Sequence, residues 1–525
     1  MAALIDFTGV YTVRDVLRQH ARGATGAKVA IVDGSRTVTF AEVLERSLGY
    51  ATVLKQAGVS TGDRVAIFLP RSVDAVAALF AAWFAGGVAV IVNERLRTQQ
   101  VHHIVEHSGA DVILTNSRQL VAVPSFPRGC VINMDDVAPG EPCTPESIIG
   151  ADLALLIYTS GSTGLPKGVM LSHDNLLSGA RIVADYLKLT NQDVILSVLP
   201  FSFDYGLNQL LTALLVGGTL VIQRSLFPND ICKSLLAHQV TGMAGVPTLW
   251  LQLCGRHSPF LSTTFPRFRY LTNSGGHLPE QAVRRIREAH PQVQVYLMYG
   301  LTEAFRSTFL PPDEVDRRPG SIGKAIPNNE ILVINERGER CVPGEVGELV
   351  HRGATVSMGY WRDPETTSRL FRPHPFAPGQ NGMAERVVFS GDLVRTDADG
   401  YLYYVGRKDK QIKSRGVRVS PEEIESCLHA SGLVAHAVAF AVPRDEGDVD
   451  IVAAVVPAEP GRFQEEDLEA YCKSEMPEYM WPRVIWALPA FPLTSSGKPD
   501  RCRIQQIHAE HTLGAPRAAR ATRTS

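Results

Sequence analysis

Residues 75–92 carry no charged side chain, and this run limits the architecture more than any other part of the chain. Its length is that of a membrane-spanning helix. Gly86-Gly87 divides it, however. Before the glycines the run is alanine-rich and helical in character; after them it is β-branched, the composition of a strand. A buried helix, a glycine turn and a buried parallel strand therefore fit better than a membrane span. The pattern recurs at residues 210–222, where a Leu/Ala-rich stretch meets Gly217-Gly218 and then Thr219-Leu220-Val221-Ile222. Two helix–Gly-Gly–strand units predict two α/β subdomains, each built on a parallel sheet and packed together.

At 525 residues the chain exceeds one ordinary domain. A formal net charge of -2 gives no reason to expect nucleic acid or an anionic membrane as partner. The 8 cysteines are scattered without a Cys-x-x-Cys pair, which favours reduced thiols over disulfides or a zinc site. The first residues carry Asp6 and no basic stretch, which argues against a signal peptide. A cytoplasmic protein, monomeric or homodimeric, is the expectation. Residues 435–442 and 450–456 read as strands and 465–475 as a helix, a small α+β unit. The Ala/Arg/Thr-rich tail, 509–525, reads as disordered.

The run Tyr158-Thr159-Ser160-Gly161-Ser162-Thr163-Gly164-Leu165-Pro166-Lys167-Gly168 lies between two apolar stretches, so it joins two expected strands. Its glycines free backbone N–H groups to turn inward. Its hydroxyls and Lys167 suit a polyanion, most plainly the phosphates of a nucleotide. It is not a Walker A loop, because Pro166 precedes the lysine and no helix-opening Ser/Thr follows it.

Other strings acquire meaning from their order. Tyr299-Gly300-Leu301-Thr302-Glu303 ends an apolar run, placing a ring and a carboxylate at a strand's C-terminal end, where open α/β sheets bind ligands. Glu303 has the hard oxygen chemistry of a Mg²⁺ ligand. Ser274-Gly275-Gly276 offers close backbone approach. Asp392 sits in a Ser-Gly-Asp turn and suits ribose hydroxyls. The charge-dense stretch from Gly406 contains Arg407, Asp409, Lys413 and Gly416, and it leads into a helix with Ser420 as N-cap and Pro421 at its first position. Pro492-Leu493-Thr494-Ser495-Ser496-Gly497-Lys498 is a second Ser/Gly loop with one lysine.

Together these strings resemble the adenylate-forming superfamily, which includes acyl-CoA synthetases, adenylation domains of nonribosomal peptide synthetases and firefly luciferase. The resemblance covers about residues 10–505 and is greatest to bacterial AMP-forming acyl-CoA ligases, including those associated with exosortase gene clusters. It implies an α/β fold: a large N-terminal domain (1–405) of two packed α/β subdomains plus a β-barrel-like subdomain, a hinge (406–410, with Asp409) and a small mobile α+β C-terminal domain (411–508). It implies ATP, Mg²⁺ and an acceptor thiol, either CoA or a carrier protein's phosphopantetheine. Thr159 to Lys167 would hold the β- and γ-phosphates. Tyr299 would stack on adenine beside Gly275, Gly276 and Gly300. Thr302 would meet the α-phosphate, Glu303 the magnesium, and Asp392 and Arg407 the ribose. Lys498 would bridge the substrate carboxylate and the α-phosphate. Lys413 would be a further cofactor-binding residue, and the strand containing Gly416 would serve the second half-reaction, after the C-terminal domain has turned.

The acid is marked by Pro200-Phe201-Ser202-Phe203-Asp204-Tyr205-Gly206. Many acyl-CoA synthetases have a histidine here; amino-acid adenylation domains have Phe-Asp, whose carboxylate pairs with the substrate's α-ammonium. Asp204 thus marks either an amine-bearing acid or the N-terminus of a helix over 207–216. The rest of the pocket would be Tyr205, Asn208, Thr272, Ser274, Met298 and Arg306, with Arg306 able to pair with a second carboxylate. A small or medium polar acid is expected. Three functions compete: an acyl-CoA ligase, an amino-acid-activating enzyme serving a separate carrier protein, and a silent nucleotide-binding module, against which Lys167, Glu303, Asp392 and Lys498 together weigh.

Overall fold

The computed structural model describes residues 8–23, 25–160, 166–377, 385–408, 412–414, 417–443, 449–494 and 497–513. The smaller of its two large sheets has seven strands. Arg64–Ile67, Val88–Ile91, Val112–Thr115, Cys130–Asn133 and Leu153–Ser160 are parallel, and Pro166–Ser172 and Gly359–Tyr360 add an antiparallel edge. The larger has fourteen strands. Its parallel part follows the spatial order Val29–Asp33, Thr219–Ile222, Val194–Ser197, Gly242–Gly245, Tyr270–Asn273, Gln294–Leu301.

The helix expected before Gly86 is Val73–Phe84, started by Ser72, whose hydroxyl accepts from the Ala75 N–H. Apart from Asp74 it is buried all round. The cause is its place between the sheets, packed on Val29–Asp33 of the larger and on Arg64–Ile67 and Val88–Ile91 of the smaller. A helix with no solvent face needs no polar stripe. It closes with Gly86 at φ +79°, the Gly87 N–H donating to the Ala82 carbonyl at 2.7 Å. The second unit repeats this geometry: Asp204–Leu215, Gly217 at φ +67°, and the Gly218 N–H donating to Ala213 at 2.8 Å. Glycine is required because the backbone turns left-handed there. Among the described residues no helix is long and apolar enough to cross a membrane.

The barrel-like subdomain is a correction. Ser321–Ala325, Leu402–Arg407, Arg386–Thr396, Val346–Gly353 and Asn329–Ile334 continue the larger sheet beyond Ala304–Leu310 as an open antiparallel extension. Closure would require Asn329–Ile334 to pair with Ser321–Ala325. That strand already has a partner on each side, Ala304–Leu310 and Leu402–Arg407, so no free edge remains.

The C-terminal unit has its own core, centred on Ile424, Leu428, Ala439, Ala453, Val455 and Leu468. Val434–Pro443, Val449–Pro457 and Val484–Ala487 form its three-stranded sheet, with helices Pro421–Ala430 and Glu465–Glu475 as expected. Ser420 occupies the N-cap position, but its hydroxyl donates to Glu422 at 2.8 Å instead of capping the backbone. The last helix, Arg501–Leu513, runs past residue 509 into the stretch read as tail, anchored by the fully buried Ile504. Residues 514–525 lie outside the described residues.

Candidate active site

Open α/β sheets bind ligands at the C-terminal ends of their parallel strands. Tyr299 stands near the end of Gln294–Leu301, and Thr302 and Glu303 form the two-residue turn into Ala304–Leu310. The sheet register sets Asp392 opposite Arg407. Their side chains pair at 3.4 Å, and the Tyr299 hydroxyl donates to the same carboxylate. Burial pushes the Asp392 carboxyl up, and Arg407 and Tyr299 oppose that shift. The expected adenine and ribose residues are therefore one hydrogen-bonded cluster. His351 stacks on Tyr299 at 6.1 Å; burial lowers its imidazole to about 3, so it is neutral.

A second cluster surrounds the phosphate-type loop. Leu153–Ser160 and Pro166–Ser172 are antiparallel, with Thr159 opposite Lys167 and Ser160 opposite Pro166. The two strands that the sequence required are present; Gly161, Ser162, Thr163 and Gly164 lie outside the described residues. Lys167 Nζ bonds Asp363 at 2.8 Å and Thr366 at 2.6 Å, and lies 6.0 Å from the Tyr360 ring centre. Burial pushes Asp363 up, but the bonds from Lys167 and Thr366 outweigh it and hold the carboxyl at about 2. The Tyr360 hydroxyl donates to Glu303. The loop lysine and the candidate metal carboxylate thus flank one tyrosine. Glu303 keeps lone pairs for a hard cation, which fits an ion held by one protein carboxylate together with substrate phosphates.

The third cluster comes from the C-terminal unit. Thr248 donates to the Gly497 carbonyl at 2.7 Å, seating that loop on the N-terminal part. Lys498 Nζ stands 5.5 Å from the Phe203 ring centre. A Cβ on Gly275, which has φ +82°, would meet Lys498 Cε at 2.9 Å. The glycine is needed here for both its backbone and its missing side chain. Gly276 is held by Asn273, whose amide donates to its carbonyl at 3.0 Å. Asp409 and Gly416 fall outside the described residues, as does the Lys413 side chain.

Asp204 is the first residue of its helix and 5% exposed. Its carboxylate partner is Arg306 Nη2 at 3.2 Å, itself 2% exposed. The guanidinium lies 4.9 Å from the Tyr205 ring centre. Arg306 therefore meets a carboxylate of its own chain, Asp204. The Tyr205 hydroxyl bonds Thr272, and Tyr186 donates to the Met298 sulfur at 3.7 Å. Tyr205, Asn208, Thr272 and Met298 line one cavity; Ser274 is buried beside it in sequence but is not part of that lining. Sequence reasoning missed Tyr360, Asp363, Thr366 and His351, and named Phe203 only within the Phe-Asp string. Only Asp363-Pro364-Glu365 carried a local signal, a helix start.

The chain matches the AMP-binding enzyme family over residues 17–361 and that family's C-terminal domain over 423–498, so it belongs to that family. Gramicidin S synthase 2 of Brevibacillus brevis is 30% identical over 93% of this chain; the chain spans 11% of that protein's length. The o-succinylbenzoate CoA synthetase of Bacillus subtilis, solved with its acyl-adenylate intermediate, is 28% identical with a TM-score of 0.81 over 93% of this chain and 97% of that one. A benzoate CoA ligase from Burkholderia xenovorans is 26% identical, with a TM-score of 0.82 over 94% and 100%.

Proposed function

We infer that the protein is an AMP-forming acyl-CoA ligase acting on a small carboxylic acid that lacks an α-ammonium group. The observation that carries the choice of acid is the Asp204–Arg306 pair. A buried carboxylate free of a counter-ion would invite a substrate ammonium; one already paired gains little from a second cation and would lose its first. The kinship with two CoA ligases supports CoA as acceptor. The likeness to a gramicidin S synthase favours a second reading, an amino acid loaded onto a separate carrier protein.

The residues divide the work as follows. Tyr299 and the Gly275-Gly276 backbone hold the adenine of ATP, Asp392 and Arg407 the ribose, and the Thr159–Lys167 loop the terminal phosphates. Lys167 must exchange Asp363 for phosphate oxygens. Lys498 lies between the acid's carboxylate and the α-phosphate, neutralising the charge that builds as the carboxylate oxygen attacks phosphorus and pyrophosphate leaves. Magnesium, when bound at Glu303, neutralises charge on the departing pyrophosphate. In the second step a thiolate attacks the acyl carbonyl and AMP departs. Turning of the C-terminal domain about Asp409 would withdraw Lys498 and admit the thiol. An ATP–pyrophosphate exchange panel of amino, aryl and aliphatic acids, followed by thioester assays with CoA and with a phosphopantetheinylated carrier, tests this. Exchange with desamino acids and thioester formation on CoA are expected. Exchange confined to amino acids, with transfer to the carrier alone, would overturn it.

A further inference from the structure

The helix Asp204–Leu215 is apolar along most of its length, but Tyr205, Asn208, Gln209 and Thr212 recur at i, i+3, i+4 and i+7. That is the spacing of one helical face. On a surface helix such a stripe faces water; here every residue of the helix is buried. The stripe instead lines a cavity bounded also by Tyr270, Thr272 and Met298. Two of its side chains are satisfied by protein. The Tyr205 hydroxyl bonds Thr272, and the Thr212 hydroxyl bonds the carbonyls of Asn208 and Gln209. Asn208 Nδ2, a donor, and Gln209 Oε1, an acceptor, have no protein partner among the described residues, and their residues are 3% and 7% exposed. Each such buried group is destabilising unless something completes its hydrogen bonding. These two groups, of opposite polarity, belong to adjacent residues that line one cavity.

Tyr205, which lines the cavity, adjoins the expected reacting end. Lys498 lies over Phe203, and the Phe203 and Tyr205 rings meet edge to face at 6.1 Å. An acid with its carboxylate at Lys498 would direct its far end past Tyr205 towards Asn208 and Gln209. The free volume of the whole cavity, about 20 Å³, suits a group the size of a water molecule. The Asp204–Arg306 pair leaves no uncompensated charge nearby. A carbonyl cannot donate to Gln209, and an ammonium would find no counter-ion. The smallest neutral group that both accepts and donates is a hydroxyl. Resting on the acid-activating reading above, we propose that Asn208 and Gln209 select a carboxylic acid bearing an uncharged hydroxyl at its far end.

The test is pyrophosphate exchange with matched pairs: each hydroxybenzoate against benzoate, and short ω-hydroxy acids against their unsubstituted parents. In at least one pair kcat/KM should favour the hydroxy acid by about 10²-fold or more, since a site built for a hydroxyl rejects analogues that lack it. In the near-isosteric Gln209→Met that preference should fall below about 10-fold, while the ligand-free protein melts at or above the wild-type temperature because an unpartnered acceptor has gone. Parity within every pair, with exchange intact, overturns the proposal and leaves the acid-activating reading standing. So does a Gln209→Met protein that melts lower and keeps its preference, the signature of an amide serving packing alone. Exchange with no acid overturns both.

Discussion

Asp204 carries the proposed choice between substrates. In isolation it reads equally as an ammonium-binding carboxylate or as a helix N-terminus. Its partner Arg306 lies 102 residues away in the chain and reaches it only because the strand Ala304–Leu310 and the helix Asp204–Leu215 meet in the core. Removing one member of a buried pair leaves an uncompensated charge. Arg306→Leu should therefore lower unfolding stability by roughly 3–5 kcal/mol, measured by denaturant titration. It should also raise exchange with amino acids relative to their desamino counterparts, because a substrate ammonium can then replace the guanidinium. An Arg306→Leu protein of wild-type stability and unchanged preference would separate the pair from specificity. The glycine motifs and Lys498 were legible because their chemistry is local. Tyr360 and Asp363 were not: their roles depend on Lys167 and Glu303, which adjoin them only in the folded chain.

At the scale of elements, the helix–Gly-Gly–strand units were legible because composition changes abruptly at a glycine pair whose left-handed turn admits few other residues. The open antiparallel extension was not. Whether strands close depends on which edges are free, and hydrophobic alternation does not encode edge occupancy. The helix Pro421–Ala430 also carries a charge that sequence alone left unremarked. Glu425 accepts from the Ala439 N–H at 2.7 Å and pairs with Arg501, yet burial raises its carboxyl from 4.5 to about 7, against the opposing pull of Arg501. A raised carboxyl contributes stability below its unfolded pKa that is lost as pH climbs through the folded one. The wild type's thermal stability relative to Glu425→Gln should thus decline from about pH 4.5 to about pH 7 and level off above. A difference that grows with pH across that window would contradict the burial of this carboxyl.

For the whole molecule, Gly497 is seated on Thr248 and Lys498 lies against Gly275, the arrangement that the proposed function assigns to acid activation. The same contacts must break for the thiol step if the C-terminal domain turns. Asp409→Pro, which restricts the backbone at the proposed pivot, should spare pyrophosphate exchange and depress thioester formation; equal loss of both would argue against a hinge there. The three clusters come from distant parts of the chain and meet at one sheet end. Under the proposed function, Lys498 neutralises charge in the first step. Acid-dependent ATP–pyrophosphate exchange, compared between wild type and Lys498→Ala, tests that most directly. The expected result is robust exchange in the wild type and a loss of about 10²–10³-fold in the variant, as for one preorganised electrostatic donor. Exchange at a near wild-type rate in Lys498→Ala would contradict it.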